Sequence, residues 1–485
     1  MTAPAPVTPV VGERRGFDPV RALLARGTLY TLATALQVST AVLVLPAVTR
    51  LLPATEYGVV AVAVVVQLVL GLAGSAGLPE TLPSTYFRTA DGPDRARTLV
   101  AVAFATSFLV VLLAEATGAL WSASLLDLPY ETPVRIAVWS AVPFAVLITA
   151  QAVLRAGDRA GAFFATAVIG TAGAQALGLV FLVAFGASPA AFLAGMTLGI
   201  SLGAVAAVAT SGLSLRGFAS PRFLRSSLAF SLPAVAHGLA LYLVWAGARA
   251  VLNHLEGPAA VGRFHVAYLV GGLAVVIVSA IYRAWSPIVF GAPDERRWAA
   301  LADTTEVVYR VAAAVAVAIA IAAPIALVVL APNYDPLGLV TVSSVVTLSA
   351  VPFVTYCASL NVILWHGRTL TLAWTTPLVA AANVGLNLGL IPLLGFSGAA
   401  VATVLAYTLQ ALLVTWAARR LVRVPWRLRP AIEAAAATGA AVALSALLPA
   451  GGEWLAIRFL LALAPLAWLA SLVVRLRRPA ARWAA

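Results

Sequence analysis

The sequence contains no lysine: all 31 basic residues are arginine, set against 18 acidic ones for a formal net charge of +13. With its abundant Ala, Gly and Pro, that gap reads as the signature of a GC-rich genome and carries no mechanism. Cysteine is nearly absent too. Cys357 alone, inside an apolar run, excludes an internal disulfide and any cysteine-based metal site. Four histidines, none at metal-ligand spacing, argue against a metalloenzyme. Charge is scarce at 10% of residues, where a soluble domain carries about a quarter. What fills the space is apolar: 62% of the chain is hydrophobic, with a mean hydropathy of +0.99. Water cannot be the main solvent of such a chain. The isoelectric point near 10.8 would suggest nucleic acid in a soluble protein. In a lipid-embedded one it reflects the arginine excess of cytoplasmic loops, and no nucleic-acid partner is expected.

A span of the hydrocarbon core takes about 20 apolar residues. On that measure the sequence predicts an all-α integral membrane protein of about fourteen transmembrane helices. They fall at roughly 27–49, 57–78, 98–121, 134–154, 161–186, 190–214, 227–252, 262–285, 307–330, 338–364, 370–393, 397–418, 431–449 and 456–474. The short connections leave no room for a soluble catalytic domain. Residues 1–26 are Pro-rich, carry four arginines and precede a run of full spanning length without a small-residue cleavage site. They read as a cytoplasmic tail and not a cleaved signal. With both termini cytoplasmic, 26 of the 31 arginines fall on the cytoplasmic side. Only Arg50, Arg135, Arg249, Arg263 and Arg458 fall towards the outside.

The chain also repeats. A shift of 204 residues pairs Leu51 with Leu255, Gly58 with Gly262, Val62 with Val266, Ala63 with Ala267 and Pro83 with Pro287. Gly186-Ala-Ser-Pro-Ala-Ala recurs as Gly395-Phe-Ser-Gly-Ala-Ala at a shift of 209. A duplicated plan follows: a pseudo-symmetric N-lobe of six helices at 27–214, a C-lobe of six at 227–418, two appended helices at 431–474, and a cytoplasmic tail at 475–485. Parallel repeats of this kind occur in transporters.

Four segments carry a family likeness: Arg50-Leu-Leu-Pro-Ala-Thr-Glu56-Tyr57-Gly58; Gly257-Pro-Ala-Ala-Val-Gly262-Arg-Phe-His-Val-Ala267 with Trp285-Ser-Pro287; Ala331-Pro-Asn-Tyr334; and Asn383-Val-Gly-Leu-Asn387-Leu-Gly-Leu-Ile-Pro392-Leu-Leu-Gly395-Phe-Ser-Gly398-Ala-Ala-Val-Ala-Thr403. Over residues 20 to about 420 the chain resembles the Wzx-like oligosaccharide flippases, polysaccharide biosynthesis proteins of the multidrug/oligosaccharidyl-lipid/polysaccharide (MOP) exporter superfamily. The resemblance implies a transporter and not an enzyme, without cofactor. It would move undecaprenyl-diphosphate-linked glycans to the outer leaflet of the bacterial cytoplasmic membrane, by alternating access of two lobes around a cationic cavity. Its partners would be that lipid-linked substrate, anionic lipids and other polysaccharide assembly proteins. The alternatives are a lipid-linked peptidoglycan-precursor flippase or a multidrug exporter of the same superfamily. A glycosyltransferase or O-antigen polymerase would need a large outer loop for its acid and base, and the outer loops here are tiny.

Ionisable groups within a span are costly and mark candidates for function. At 100° per residue His237, Tyr242, Trp245 and Arg249 share one face of the seventh span. Arginine suits phosphate oxygens and aromatic faces suit sugar rings. Arg249 at the outer interface and His237 on a neighbouring carbonyl are the structural alternatives. Arg50 and Arg263 flank the outer boundary as further substrate candidates, Arg50 with Glu56 as a possible ion-pair partner. Arg135 reads as an interface anchor. Glu115, the acid furthest inside a span, is a candidate ion-coupling site or a counter-charge to Arg50 or Arg135. Asn383 and Asn387 share a face and read as interhelical glue beside close-packing Gly385 and Gly389. Gln37, Gln67 and Gln175 lie near midplanes, as interhelical bonds or sugar contacts. The five arginines of 419–429 read as orienting charge that meets anionic lipid.

Overall fold

The computed structural model describes residues 40, 43–88, 91–215, 220–368 and 370–477, and every regular element among them is a helix. They are α1 (ending at residue 51, described from 43), α2 (Ala54–Gly74), α3 (Leu78–Arg88), α4 (Gly92–Leu126), α5 (Thr132–Ala156), α6 (Ala160–Ala184), α7 (Pro189–Ser211), α8 (Pro221–Glu256), α9 (Pro258–Phe290), α10 (Arg297–Leu330), α11 (Pro336–Trp365), α12 (Leu370–Leu394), α13 (Phe396–Arg419), α14 (Leu428–Leu447) and α15 (Trp454–Arg477). Twelve of these are long and apolar enough to cross a membrane. The expected span 227–252 falls within α8, which is 36 residues long, about 54 Å. The first span is described only over its last turns.

Two local features depart from the plain fourteen-rod expectation. Residues 78–88, expected as a loop, form α3, whose sequence LPETLPSTYFR mixes polar and apolar residues and is too short to span. The second is interruption. α6 carries a π-turn at Val168–Ala172. α11 starts as a 3-10 turn at Pro336–Leu339 and breaks between Thr347 and Ala350. Pro352 explains that break: it has no N–H to offer the Leu348 carbonyl, and the chain tightens to Leu348 N→Val345 O and Ser349 N→Val346 O bonds.

In the first half α5 is central, packed against α2, α4 and α7. α6 and α7 meet along small residues spaced by four: Gly170, Ala174 and Gly178 against Gly195, Gly199 and Gly203. A Cβ on Gly199 would come within 2.4 Å of the Ala174 Cα, and one on Gly203 within 2.4 Å of the Gly170 Cα. Backbones this close replace the hydrophobic drive that lipid removes. In the second half α8 packs on α12, α12 and α11 on α13, and α9 on α10.

The appended α14 and α15 pack on α10. Arg458 joins the three. Fully buried, its guanidinium donates to Ser445 O (2.8 Å), Leu448 O (2.6 Å), Pro449 O (3.1 Å), Ile321 O (3.3 Å) and Ser445 Oγ (3.1 Å). The Ser445, Leu448 and Pro449 carbonyls are ones that the end of α14 leaves without helical donors, and the Ile321 bond reaches across to α10. Arg458→Met should therefore cost about 3 kcal/mol and lower the midpoint of thermal unfolding in detergent by several degrees. An unchanged midpoint would refute this capping role.

The helices alternate between two ends. The turns at 52–53, 127–131, 185–188, 257, 331–335, 395 and 448–453 share one end with Arg50, Arg135, Arg249, Arg263 and Arg458. The other described arginines lie towards the opposite end, several as caps: Arg97 Nε donates to Ser211 O (3.1 Å) and Arg159 to Thr210 O (2.7 Å). We refer to the arginine-poor and the arginine-rich end.

Candidate functional site

At the arginine-poor end the two halves touch along a seam. α2 crosses α9 with backbones in contact. A Cβ on Gly58 would lie 1.8 Å from the Pro258 carbonyl oxygen, and one on Gly262 would lie 2.1 Å from that of Ala54. Beside the crossing, Thr49 Oγ1 donates to the Leu330 carbonyl at 2.6 Å, and Asn253 Nδ2 donates to the Leu126 carbonyl. The 204-residue shift turns each of these contacts into its twin: 54 into 258, 58 into 262, 49 into 253 and 126 into 330. The repeat in the sequence is thus the geometry of the seam, which has pseudo-two-fold symmetry. Two further bonds tie it: Tyr334 O–H to the Leu52 carbonyl (2.8 Å) and His254 Nδ1 to Asp127 Oδ2 (2.5 Å). Burial, then neighbouring Tyr57 and Glu56, push the Tyr334 hydroxyl well above the ordinary tyrosine range, so it stays a donor.

The Tyr334 and His254 bonds have no symmetric twin, and neither does a buried cluster beside them. Arg249 of α8, 2% exposed, donates from Nε to His265 Nδ1 of α9 at 3.0 Å. Its guanidinium stands 5.4 Å from the Tyr268 ring, within electrostatic reach of the hydroxyls of Tyr242, Tyr268 and Tyr57. Tyr57 belongs to α2, in the other half. Its ring meets His265 edge-on at 5.5 Å and Tyr334 at 6.2 Å. The shift of 204 maps Arg249, His265 and Tyr268 onto Leu45, Ala61 and Val64, and Tyr57 onto Val261. The glycine crossing and the hydrogen bonds above already join the halves along the seam. Burying a guanidinium beside it costs several kcal/mol, so the asymmetric cluster requires another reason.

The expected site residues divide accordingly. Arg249 and Tyr242 come together in the cluster, while the side chains of His237 and Trp245, on the same helix, lie outside the described residues, as does Gln37. Arg263 sits on the rim of the arginine-poor end, held by Asp335 Oδ2 at 2.8 Å and lying 5.1 Å from the Phe396 ring. Arg50 makes no ion pair with Glu56; it is exposed and donates to the Pro46 carbonyl of its own helix (2.9 Å).

Glu115 sits in a peripheral cluster of its own. Its oxygens accept from Arg135 (2.7 Å), Tyr130 O–H (2.8 Å) and Trp139 Nε1 (3.0 Å). Nearby Phe104, Phe108, Leu109 and Leu112 are exposed, facing lipid. That geometry fits the counter-charge alternative and leaves little capacity for a coupling ion. Burial, then the bond to Glu115, raises the Tyr130 hydroxyl above its usual range and keeps it donating. Glu115→Gln forfeits a half-exposed ion pair of up to about 1 kcal/mol and should leave transport and its pH dependence intact. Loss of transport in that variant would restore Glu115 as a coupling site.

Asn383 and Asn387, both fully buried, bond to each other along α12 and not across helices: Asn387 Nδ2 donates to Asn383 O (2.7 Å) and Oδ1 (3.2 Å). Gly385 and Gly389 have open space where a Cβ would stand and do not pack closely. Gln67 is buried in α2 and Gln175 is partly exposed in α6. In the 419–429 loop, Arg427 pairs with Glu306 (2.8 Å) and Asp303 (3.0 Å), Arg429 with Glu433 (2.7 Å), and Arg420 lies 3.9 Å from the Trp416 ring. Part of this basic loop therefore fastens α13 and α14 to α10.

His265, Tyr57 and Tyr268 escaped the sequence reading as functional residues. The first two stand inside segments of family likeness beside Arg263 and Glu56, whose charge stands out, and Tyr268 stands in an apolar run. The signal was nevertheless present in positions where the 204-residue repeat exchanges a polar residue for an apolar one.

A family model described as "Polysaccharide biosynthesis protein" matches residues 23–291, more than half of the chain. The chain belongs to this family. No curated protein matches it by sequence. Among solved structures it is similar to the lipid II flippase MurJ in an inward closed conformation, at 13% identity and a TM-score of 0.68, covering 92% of this chain and 99% of that one. It is also similar to a multidrug-resistance MATE transporter of the MOP superfamily, at 16% identity over 83% of this chain. The TM-score is 0.64 for the inward-facing form, which is covered to 97%, and 0.54 for the outward-facing form, which is covered to 96%. This member of the polysaccharide biosynthesis family thus has the fold of the MOP transporters. It superposes better on an inward-facing arrangement than on an outward-facing one.

Proposed function

We propose that the chain is a flippase that carries undecaprenyl-diphosphate-linked oligosaccharide units across the bacterial cytoplasmic membrane for cell-surface polysaccharide assembly. The arginine-poor end faces outward and both termini are cytoplasmic, as the arginine bias favours. The two lobes, 27–214 and 227–418, rock about the Gly58–Gly262 crossing, and the seam is the outer gate in its closed state. The observation that carries the reading is the Arg249 cluster. A buried guanidinium with tyrosines around it, on the wall between two lobes, is chemistry for a diphosphate followed by sugar rings. By sequence spacing alone His237 and Trp245 are further substrate candidates, and Arg263 and Arg50 stand where the headgroup leaves. The lipid tail stays in the bilayer beside the lobes.

Deleting the gene should remove the surface polysaccharide and leave its lipid-linked unit in the inner leaflet. A mutant with normal polysaccharide would refute the proposal. The second reading is a flippase for lipid-linked peptidoglycan precursor. It is favoured by the 99% coverage of the lipid II flippase, against 97% of the inward-facing MATE form with less of this chain. Rescue of a strain depleted of its own peptidoglycan-precursor flippase would select it.

A further inference from the structure

We propose that His265 is a proton-binding site of the seam: one proton taken up at Nδ1 displaces Arg249 and opens the arginine-poor end. Arginine Nε–H is always a donor, so the ring nitrogen it meets at 3.0 Å must present a lone pair. The closed seam therefore contains His265 without a proton on that atom. Adding one sets two donors face to face and puts a second positive charge beside a guanidinium that is only 2% exposed. The Nε–H···Nδ1 bond breaks, the new N–H needs another acceptor, and the two cations repel. The proton comes from water at the arginine-poor end, since His265 keeps partial exposure. The lobe contact weakens with it, because the His265 ring is one of the two rings, with that of Tyr334, that Tyr57 of α2 packs against.

Released from Arg249 into water, the His265 imidazole is the group here that takes up a proton in mildly acidic solution. His265 meets Arg249 of α8 and Tyr57 of α2. Around these two lie Tyr242 and Tyr268 beside Arg249, Tyr334 and Glu56 near Tyr57, Tyr407 beside Tyr268, and the Arg263–Asp335 pair on the rim. Residues 311–330 of α10 and 336–355 of α11, which also pack on α9, contain no ionisable side chain, and Tyr356 and Cys357 follow further along α11. The other histidine of the seam, His254, meets the Asp127 carboxylate and not a guanidinium, so it lacks the opposed donors that a protonated His265 would face.

The inference concerns the gate and does not depend on which lipid-linked substrate is carried. The test is a distance measurement on the full-length protein in nanodiscs, with spin labels on Glu131→Cys and Glu256→Cys, one exposed position in each half. Between pH 8 and pH 5 the open population should rise by up to about tenfold per pH unit, the limit for one proton. His265→Gln keeps a neutral side chain that cannot take up the proton and should abolish the rise; Arg249→Met, which removes the other partner, should flatten it as well. His254→Gln should retain it. A pH-independent distance in the parent protein, or an acid response that survives in both His265→Gln and Arg249→Met, overturns the proposal while leaving the transport reading untouched.

Discussion

Alanine at Gly58 or Gly262 is expected to open the seam without unfolding either half. Alanine is the better helix former by about 1 kcal/mol, so each helix alone gains. The crossing cannot accept it, because the new Cβ would lie 1.8 Å or 2.1 Å from a backbone carbonyl oxygen of the partner helix. Backbone does not rotate aside as a side chain would. Overpacking of this kind costs about 3 kcal/mol, which shifts the closed-to-open ratio by roughly 100-fold. The pseudo-symmetry adds a sharper demand. Gly58 meets Pro258 as Gly262 meets Ala54, so the two variants should behave alike in the spin-label distances. Gly385→Ala, at a site with open space around it, is the control that should leave the distance unchanged. Two variants of unequal effect, or a seam that stays closed in both, would remove the crossing from the gate.

Arg249→Ala is the second large effect. Truncating one partner of a buried, hydrogen-bonded charge contact costs about 2–5 kcal/mol, so export should fall at least roughly 30-fold. The protein should still insert at normal levels, since the symmetric contacts that hold the halves together remain. Arg249→Lys should recover little: the planar fork that meets both His265 and a phosphate is lost even though the charge is kept. Full export in the alanine variant would take Arg249 out of the mechanism.

Much of this fold was legible because lipid imposes a simple rule. A long apolar run must close its own backbone hydrogen bonds, and a helix does so. What escaped were places where the rule is locally suspended. α3 is neither apolar nor long, so a ruler of apolar length leaves it as a connection. The break in α11 follows from Pro352, four residues after the carbonyl it cannot serve, a detail that a hydropathy ruler passes over.

The site was legible in a different way. Arg249 stood out by charge alone, but its partner His265 did not, since one histidine in an apolar helix announces nothing about its neighbour. Counting charges placed Arg458 among the outward arginines without distinguishing it from Arg249. Only the backbone carbonyls left at the end of α14 identify it as a cap. Glu115 likewise could be read as a coupling site, as a counter-charge to Arg50 or Arg135, or as a protonated acid, and its bonds to Tyr130, Arg135 and Trp139 fit the counter-charge to Arg135. The 204-residue repeat carried more information than its conserved glycines suggest. Where it repeats, it marks the contacts that close the seam. Where it fails, at Leu45 against Arg249 and Ala61 against His265, it marks the asymmetric cluster beside them.

The most direct test of the account is translocation by the purified protein in proteoliposomes that contain a short-chain polyprenyl-diphosphate oligosaccharide with a fluorescent sugar. Accessibility of the label to a membrane-impermeant quencher reports the leaflet it occupies. The account predicts rapid exchange between leaflets with the parent protein and loss of that exchange with Arg249→Ala. Exchange no faster than in protein-free vesicles, or equal in parent and variant, would contradict it.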